Sequence, residues 1–158
     1  MPWRGLEGAL ILSAMTLRSL FFGSGDTSRA TDLGLLILRL GIGLPLALAH
    51  GLGKVPPSAG FIDGTAEMGF PLPALFAWAA ALSEFLGGLL LAVGLATRPA
   101  AFFVACTMAV AAFVRHGADP FSGKEKAVLF LVGAGALLFA GAGRYAVDAW
   151  IGRRAIRR

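Results

Sequence analysis

Ionisable side chains inside long apolar stretches are the residues of this chain best placed to do chemistry. Arg39 interrupts the first apolar stretch and Glu84 interrupts the second. Because a charge near the centre of a bilayer is costly, such a side chain normally faces a partner charge or a water-filled cavity. The opposite charges of Arg39 and Glu84 therefore predict an ion pair between two neighbouring helices.

Two further residues would extend this pair into a polar column. Arg39 and His50 are eleven residues apart, close to a whole number of helical turns, so they share one face, and Lys54 continues that face. With a rise of about 1.5 Å per residue, Glu84 should lie at a height between Arg39 and His50. We therefore expect Arg39 and His50 to approach Glu84 from opposite sides.

The mouth of the column is expected to hold His116 and Glu125. His116 ends the third apolar stretch and Glu125 begins the fourth, on the side where Lys54 lies. Since histidine titrates near neutral pH, this mouth could exchange protons beside a quinone headgroup. A metal site at His50 and His116 is disfavoured, because two histidines without a compact motif are weak evidence for zinc. The candidate binding residues are thus Arg39, His50, Lys54, Glu84, His116 and Glu125.

The column has a structural and a functional interpretation. A buried ion pair can fix the register of two helices, which is the best-attested role of such pairs. Alternatively, the column is a pocket that binds a small molecule or relays protons. No catalytic residue can be assigned, because the sequence lacks a P-loop, a Rossmann fingerprint and a nucleophile elbow. Its single cysteine, Cys106, excludes a dithiol relay within the chain.

The elements that must position these residues are membrane-spanning helices. Of the 158 residues, 57% are hydrophobic and 15% are charged, with a mean hydropathy of +0.76, whereas soluble domains carry about 25% charged residues. A soluble helical protein is disfavoured, because the apolar stretches lack the polar face of a surface helix. The sequence predicts an all-α fold, a bundle of four antiparallel transmembrane helices at about 33–52, 75–96, 99–115 and 125–142.

The segments that precede and connect the spans also have predictable structure. Residues 61–70 have apolar side chains near one helical face, which indicates a short interfacial helix between spans 1 and 2. The turn between spans 2 and 3 is expected at Thr97–Pro99, and its shortness makes those spans antiparallel neighbours. The first span is expected to be capped by Thr31 or Asp32.

The distribution of basic residues predicts the orientation in the membrane. Nine arginines lie in the N-terminus, the second loop and the C-terminus, against four basic residues on the other side, so both termini should be cytoplasmic. The net charge of +5 is therefore a topology signal, and no nucleic-acid partner is predicted. Residues 151–158 form a basic cytoplasmic tail suited to anionic lipid headgroups, with a partner-protein site as the alternative. Residues 1–32 are predicted to be an amphipathic or mobile leader before a membrane domain at 33–150, with Met15 as an alternative start.

Three segments resemble a known family of membrane proteins. They read LILRLGIGLPLALAHGLGKV, GFPLPALFAWAAALSEFLGGLLLAVGLATRPAA and KEKAVLFLVGAGALLFAGAGRYAVD. From about Leu33 to Trp150 the chain resembles the DoxX family of small four-span membrane proteins. The residues that carry the resemblance are Arg39, His50, Gly51, Lys54, Glu84, Gly87, Gly88, Thr97, Arg98, Glu125, Gly141, Gly143, Arg144, Tyr145 and Asp148.

The resemblance implies a function in outline only. The family name derives from subunits similar to components of an archaeal thiosulfate–quinone oxidoreductase, and bacterial members are associated with membrane oxidoreductase complexes and with oxidative-stress or thiol balance. We therefore expect a bacterial or archaeal inner membrane protein with redox-protein partners and a quinone or small sulfur compound as ligand. A non-catalytic scaffold that recruits soluble redox enzymes and a small proton-coupled transporter are the alternatives. Homo-oligomerisation is compatible with each of them, and enzymatic activity stays an open question.

Overall fold

The computed structural model describes residues 28–156, which form six helices and, within that range, no strand. The prediction of an all-α fold is confirmed for this part of the chain. Most of the leader predicted at residues 1–32, including Met15, lies outside the described residues, as do residues 157–158. The helices are α1 (Arg29–Lys54), α2 (Ala59–Glu67), α3 (Pro73–Val93), α4 (Thr97–Arg115), α5 (Phe121–Ala140) and α6 (Val147–Ile156).

Three of these helices, α1, α3 and α4, are long and apolar enough to cross a membrane. The fifth helix differs because Lys124, Glu125 and Lys126 lie near its start. The apolar stretch that follows, residues 127–140, amounts to about 21 Å of helix, against a hydrocarbon core of about 30 Å. Three of the four predicted spans are thus supported, while the fourth span and the four-span bundle stay predictions.

The start of α1 differs from the prediction. The helix begins at Arg29, because the Ser28 side chain caps it by accepting a hydrogen bond from the Thr31 backbone N–H at 3.2 Å. Thr31 and Asp32, which we expected to cap the helix, lie inside its first turn. The first span therefore starts earlier than residue 33.

The turn between α3 and α4 is also displaced from its predicted position. It consists of Gly94–Ala96, whereas Thr97–Pro99 already belongs to the first turn of α4. Gly94 ends α3 in the left-handed conformation with φ +70°, which glycine adopts without steric cost. Ala96 also has a positive φ, of 46°, which is unusual for a residue with a Cβ atom. The contacts that hold this turn come from Asp148, described below.

The packing of α1 against α3 depends on small residues. A Cβ atom at Gly43 would collide with the backbone of Gly88 and Ala92, and one at Gly88 would lie 2.9 Å from the Ala47 backbone nitrogen. The two antiparallel helices therefore approach backbone to backbone, as small residues allow in membrane helices. On the other side of the bundle α4 packs along α5, and the shared core includes Leu46, Leu91, Val104, Ala134 and Leu137.

A short helix, α2, does occupy the connection between α1 and α3. Ser58 caps it, and the predicted apolar face is the one with least exposure, since Thr65 is buried and Phe61, Ile62 and Met68 are half-buried. This helix packs against the first part of α3. That it lies in the membrane interface stays a prediction.

Candidate functional site

Arg39 is fully buried near the end of the bundle where α3 meets α4. Its Nη1 donates a hydrogen bond to the Ala92 carbonyl at 3.2 Å, and its Nη2 donates one to the Tyr145 carbonyl at 2.5 Å. Gly94 lies so close to the guanidinium that a Cβ atom there would collide with it. Arg39 therefore joins α1 to the end of α3 and to the segment that leads into α6.

Asp148, at the start of α6, completes this group. Its two carboxylate oxygens accept hydrogen bonds from the backbone nitrogens of Ala96 at 2.7 Å and of Thr97 at 2.9 Å. It thereby caps α4 and holds the left-handed turn before it, where a negative charge is also favoured by the helix dipole. The carboxylate attracts the Arg39 guanidinium as well. We call Arg39 and Asp148, with the carbonyls of Ala92 and Tyr145, the Arg39 site.

Glu84 is paired with Lys54, and the predicted Arg39–Glu84 ion pair is wrong. Lys54 Nζ donates to both oxygens of the Glu84 carboxylate, at 2.7 Å and 2.6 Å. Arg39 lies level with Gly94, which is about 15 Å further along α3 than Glu84. The prediction assumed that the end of α1 and the start of α3 lie at the same height. In the structure α3 begins beyond the end of α1, and α2 packs against this first part of α3.

The Lys54–Glu84 site lies at the far end of α1, partly open to the surroundings. The side chain of Glu84 is 5% exposed, whereas that of Lys54 is 35% exposed. Lys54 Nζ also lies 5.5 Å from the centre of the Phe61 ring on α2, within range of a cation–π contact. Gly51 packs on the backbone at Glu84 and Phe85 with no room for a Cβ atom. The site is thus a buried carboxylate covered by a partly exposed ammonium group.

Both helices depart from regular α-helical geometry at this level. α1 contains a wide, π-helical turn at Leu46–Gly51, directly after Pro45, and α3 contains one at Ser83–Gly87. The first turn carries His50 and the second carries Glu84, and the two turns pack against each other. Such turns are rare in helices overall, and those that occur are frequently at functional sites. Neither wide turn was predicted from the sequence, although a proline inside a helix is a known cause of an altered turn.

His50 lies on the wide turn of α1 but makes its contact with α5. Its ring meets the ring of Phe130 edge-on, with the centres 5.5 Å apart and the planes at 76°. Within residues 28–153 the structure gives the His50 ring no hydrogen bond or ion pair. His50 therefore neighbours the Lys54–Glu84 site through the packing of the two wide turns, without a direct bond to Glu84.

The remaining candidates, His116 and Glu125, form a separate surface group. His116 Nδ1 lies 2.7 Å from Asp119 Oδ2, both side chains being well exposed, and Lys124 Nζ donates to the Gly117 carbonyl at 3.0 Å. Glu125 is exposed on the first turns of α5. In the described part of the chain no hydrogen bond or ion pair links this group to Lys54 or Glu84, and no cluster of three potential ligands could hold a metal ion. The structure thus divides the predicted column into three places.

Asp148 is the charged member of the Arg39 site that the candidate set left out. Its signal was present in the sequence, because it closes the glycine-rich segment GAGRYAVD that follows α5. The spacing alone could not show that this carboxylate returns to the α3–α4 turn. Asp32 is a second carboxylate that binds a backbone nitrogen distant in sequence: its Oδ1 accepts a hydrogen bond from the Arg144 backbone nitrogen at 2.8 Å.

The segment from α1 to α4 matches one family of proteins. The DoxX family model covers residues 34–117, more than half of the chain. This chain belongs to the DoxX family. No curated protein and no solved structure matches it. The family membership, with the apolar helices, makes the chain an integral, multi-pass membrane protein.

The two buried sites differ in how much of each lies within the residues that the DoxX family model matches. The Lys54–Glu84 site lies wholly within the matched residues, as does His50. The Arg39 site draws Tyr145 and Asp148 from beyond them. The resemblance predicted from Leu33 to Trp150 is therefore confirmed over residues 34–117, and the Lys54–Glu84 site is the one that belongs entirely to the family segment.

Proposed function

We propose that this DoxX protein is a membrane subunit of an oxidoreductase complex and that it binds a quinone or a small sulfur compound at the Lys54–Glu84 site. The observation that carries the proposal is the Glu84 carboxylate, 5% exposed inside a membrane helix, with a counter-ion that is 35% exposed. Ionisable groups within membrane helices are expensive and usually functional. A pair that served only to fix helix register would need no exposed member.

The geometry leaves Lys54 able to meet a ligand. An ammonium group has three donors, and two of those on Lys54 are directed at the Glu84 carboxylate. The third can donate to a quinone carbonyl or to an oxygen of a sulfur oxyanion. Phe61 lies beside the ammonium group and offers a flat apolar surface to a ring. The site therefore combines a polar anchor with an apolar wall, as ligand pockets commonly do.

The chemistry of this site is that of binding and proton supply. A quinone becomes a quinol by taking up electrons and protons in equal number, and the electrons would come from a partner oxidoreductase. Glu84, and His50 on the adjoining wide turn, would be the groups that pass protons. The same residues would stabilise an anionic sulfur compound less well, because the Glu84 charge repels it, so the quinone is the better match of the two.

The proposal includes four spans with both termini in the cytoplasm. Support comes from α5, which packs along α4 and returns the chain to the end where α1 begins. In the inner membrane of a bacterial or archaeal cell, α2 would then lie in the outer interface and cover the Lys54–Glu84 site from that side. The excess of arginine at the other end agrees with this orientation.

A binding titration tests the proposed ligand. The purified full chain in detergent is titrated with a short-chain benzoquinone and, separately, with thiosulfate, and the heat of binding is measured. We expect saturable binding of the benzoquinone to the parent chain and to the control Asp63→Asn, which removes an exposed carboxylate on α2. Glu84→Gln should weaken the binding about tenfold or more. Failure of both probes to bind the parent chain, or equal affinity in Glu84→Gln, would show the proposal to be wrong.

The oxidoreductase partner requires its own test. The full chain is purified from gently solubilised membranes of its host, and the co-purifying proteins are identified. A co-purifying oxidoreductase whose recovery survives in Glu84→Gln places the partner contact away from the ligand site. Recovery of the chain alone would contradict the complex and leave the ligand titration as an independent result.

A further inference from the structure

A second surface feature lies at the end of the bundle opposite the Lys54–Glu84 site. The end of α3, the segment before α6 and α6 itself border a depression of about 440 Å³. Its lining includes Arg144, Tyr145, Trp150, Arg153 and Val93. It is distinct from the buried Arg39 site, although Tyr145 belongs to both: its carbonyl accepts a hydrogen bond from Arg39, and the residue lines the depression.

The accessible charge of this depression is positive. Arg144 and Arg153 are exposed, and within residues 28–153 neither guanidinium forms an ion pair. The nearby acids are directed inward: Asp148 and Asp32 are each 2% exposed and accept hydrogen bonds from backbone nitrogens. Two guanidinium groups without a counter-ion among the described residues therefore face outward, and guanidinium groups bind phosphate oxygens through paired hydrogen bonds.

The rest of the lining is aromatic and apolar. Tyr145 and Trp150 are 49% and 48% exposed, and Val93 is 52% exposed at the last turn of α3. Exposed tyrosine and tryptophan at the end of membrane helices are typical of the bilayer interface, where headgroups lie. A ligand with an anionic head beside an apolar body matches this combination.

We propose that the depression binds a phosphate group, held by Arg144 and Arg153 between the side chains of Tyr145 and Trp150. An anionic phospholipid headgroup and a soluble phosphate ester share this chemistry. The aromatic flank and Val93 favour the lipid, whose acyl chains would lie along α3. The site is independent of the ligand proposed for the Lys54–Glu84 site.

Native mass spectrometry of the full chain in detergent tests this proposal. Phosphatidylglycerol or phosphatidylcholine with the same acyl chains is added, and glycerol phosphate is titrated separately by calorimetry. Both lipids carry a phosphate, but the two arginines repel the choline cation of phosphatidylcholine. We therefore expect retention of phosphatidylglycerol over phosphatidylcholine, and we expect Arg144→Gln and Arg153→Gln each to weaken the retention of phosphatidylglycerol roughly tenfold. Arg153→Lys should retain part of the binding, because it keeps the charge and loses the paired donors.

Arg29→Gln is the matched control, because Arg29 is exposed at the same end of the bundle and lies outside the depression. Unchanged thermal unfolding of all four variants shows that the fold is intact. Binding of glycerol phosphate alone would assign the site to a soluble ester, and binding of phosphatidylglycerol alone would assign it to lipid; either supports the phosphate site. Equal retention of both lipids without glycerol phosphate binding, or an equal loss in Arg29→Gln, overturns it.

Discussion

Arg39 and Glu84 show two ways in which one apolar bundle accommodates a buried charge. Arg39 is enclosed: two of its nitrogens donate to backbone carbonyls and the Asp148 carboxylate attracts it, while its Nε has no hydrogen-bond partner among the described residues. These contacts hold α1, α3 and the α6 segment together. The Glu84 carboxylate has one ion-pair partner among the described residues, Lys54, and the Lys54 side chain is partly exposed. The first arrangement is suited to structure, and the second leaves a group that a ligand can engage.

The two partners of the Lys54–Glu84 site should differ in their effect on stability. Lys54→Met leaves a carboxylate buried without a counter-ion, and we expect it to lower the free energy of unfolding by about 3 kcal/mol, the lower end of the range for a buried pair because Lys54 is partly exposed. Glu84→Gln leaves the ammonium group, which is partly exposed and can turn to water, so about 1 kcal/mol is expected. Thermal unfolding in detergent measures both. Equal losses, or a larger loss for Glu84→Gln, would contradict the difference in exposure on which the site is argued.

At the scale of elements, the α1–α3 interface brings the Lys54–Glu84 site together. The helices approach closely because Gly43, Gly51 and Gly88 have no side chain at the points of contact. The two wide turns pack on each other at the level of Glu84. The backbone contact of Gly51 with Glu84 and Phe85 fixes the position of the carboxylate relative to the end of α1. Lys54 then reaches Glu84 because it lies just after this contact.

Two glycines of α1 provide a matched test of this contact. Gly51→Ala places a Cβ atom against the α3 backbone, which cannot move aside easily, so we expect a loss of about 1–3 kcal/mol and disruption of the Lys54–Glu84 pair. Gly41→Ala meets open space on the outer face of the same helix and should stabilise the chain by about 0.5–1 kcal/mol. Thermal unfolding distinguishes them. Similar behaviour of the two variants would show that the helices are not in close contact at Gly51.

The sequence indicated that Arg39 and Glu84 are buried, but it did not identify their partners, nor the burial of Asp32 and Asp148. Hydropathy located three candidate spans to within a few residues, and the positions of Arg39 and Glu84 inside two of them marked these residues as unusual. Pairing depends on the relative heights of α1 and α3, and α3 extends beyond the end of α1, where α2 packs against it. The wide turns shift the helix phase after Pro45 and at Ser83, which regular periodicity cannot anticipate. Asp148 acts at long range, 51 residues from Thr97, so no local pattern could predict its role.

The whole molecule has two unlike ends. One holds α2, the Lys54–Glu84 site and the exposed His116–Asp119 pair, and the other holds Asp32, the Arg39 site and the arginines around α6. The basic end is expected to face the cytoplasm. The proposed redox ligand and the proposed phosphate ligand would then bind at opposite surfaces of the membrane.

Labelling of single cysteines tests this topology, starting from Cys106→Ala to remove the native thiol. Glu67→Cys on α2 and Ser122→Cys on α5 should react with a membrane-impermeant maleimide in intact spheroplasts. Arg29→Cys and Gly152→Cys should react only after the membrane is permeabilised. Identical labelling of positions 122 and 152 would mean that α5 does not cross the membrane, contrary to the four-span proposal.

The central claim is that the Lys54–Glu84 pair exists for a ligand, and the double variant Lys54→Met with Glu84→Leu tests it most directly. Replacing both members of a buried ion pair by apolar residues is often neutral for stability. We therefore predict that the calorimetric titration finds a folded protein, with thermal unfolding close to that of the parent, that no longer binds the short-chain benzoquinone. Benzoquinone binding of unchanged affinity in this variant would contradict the account.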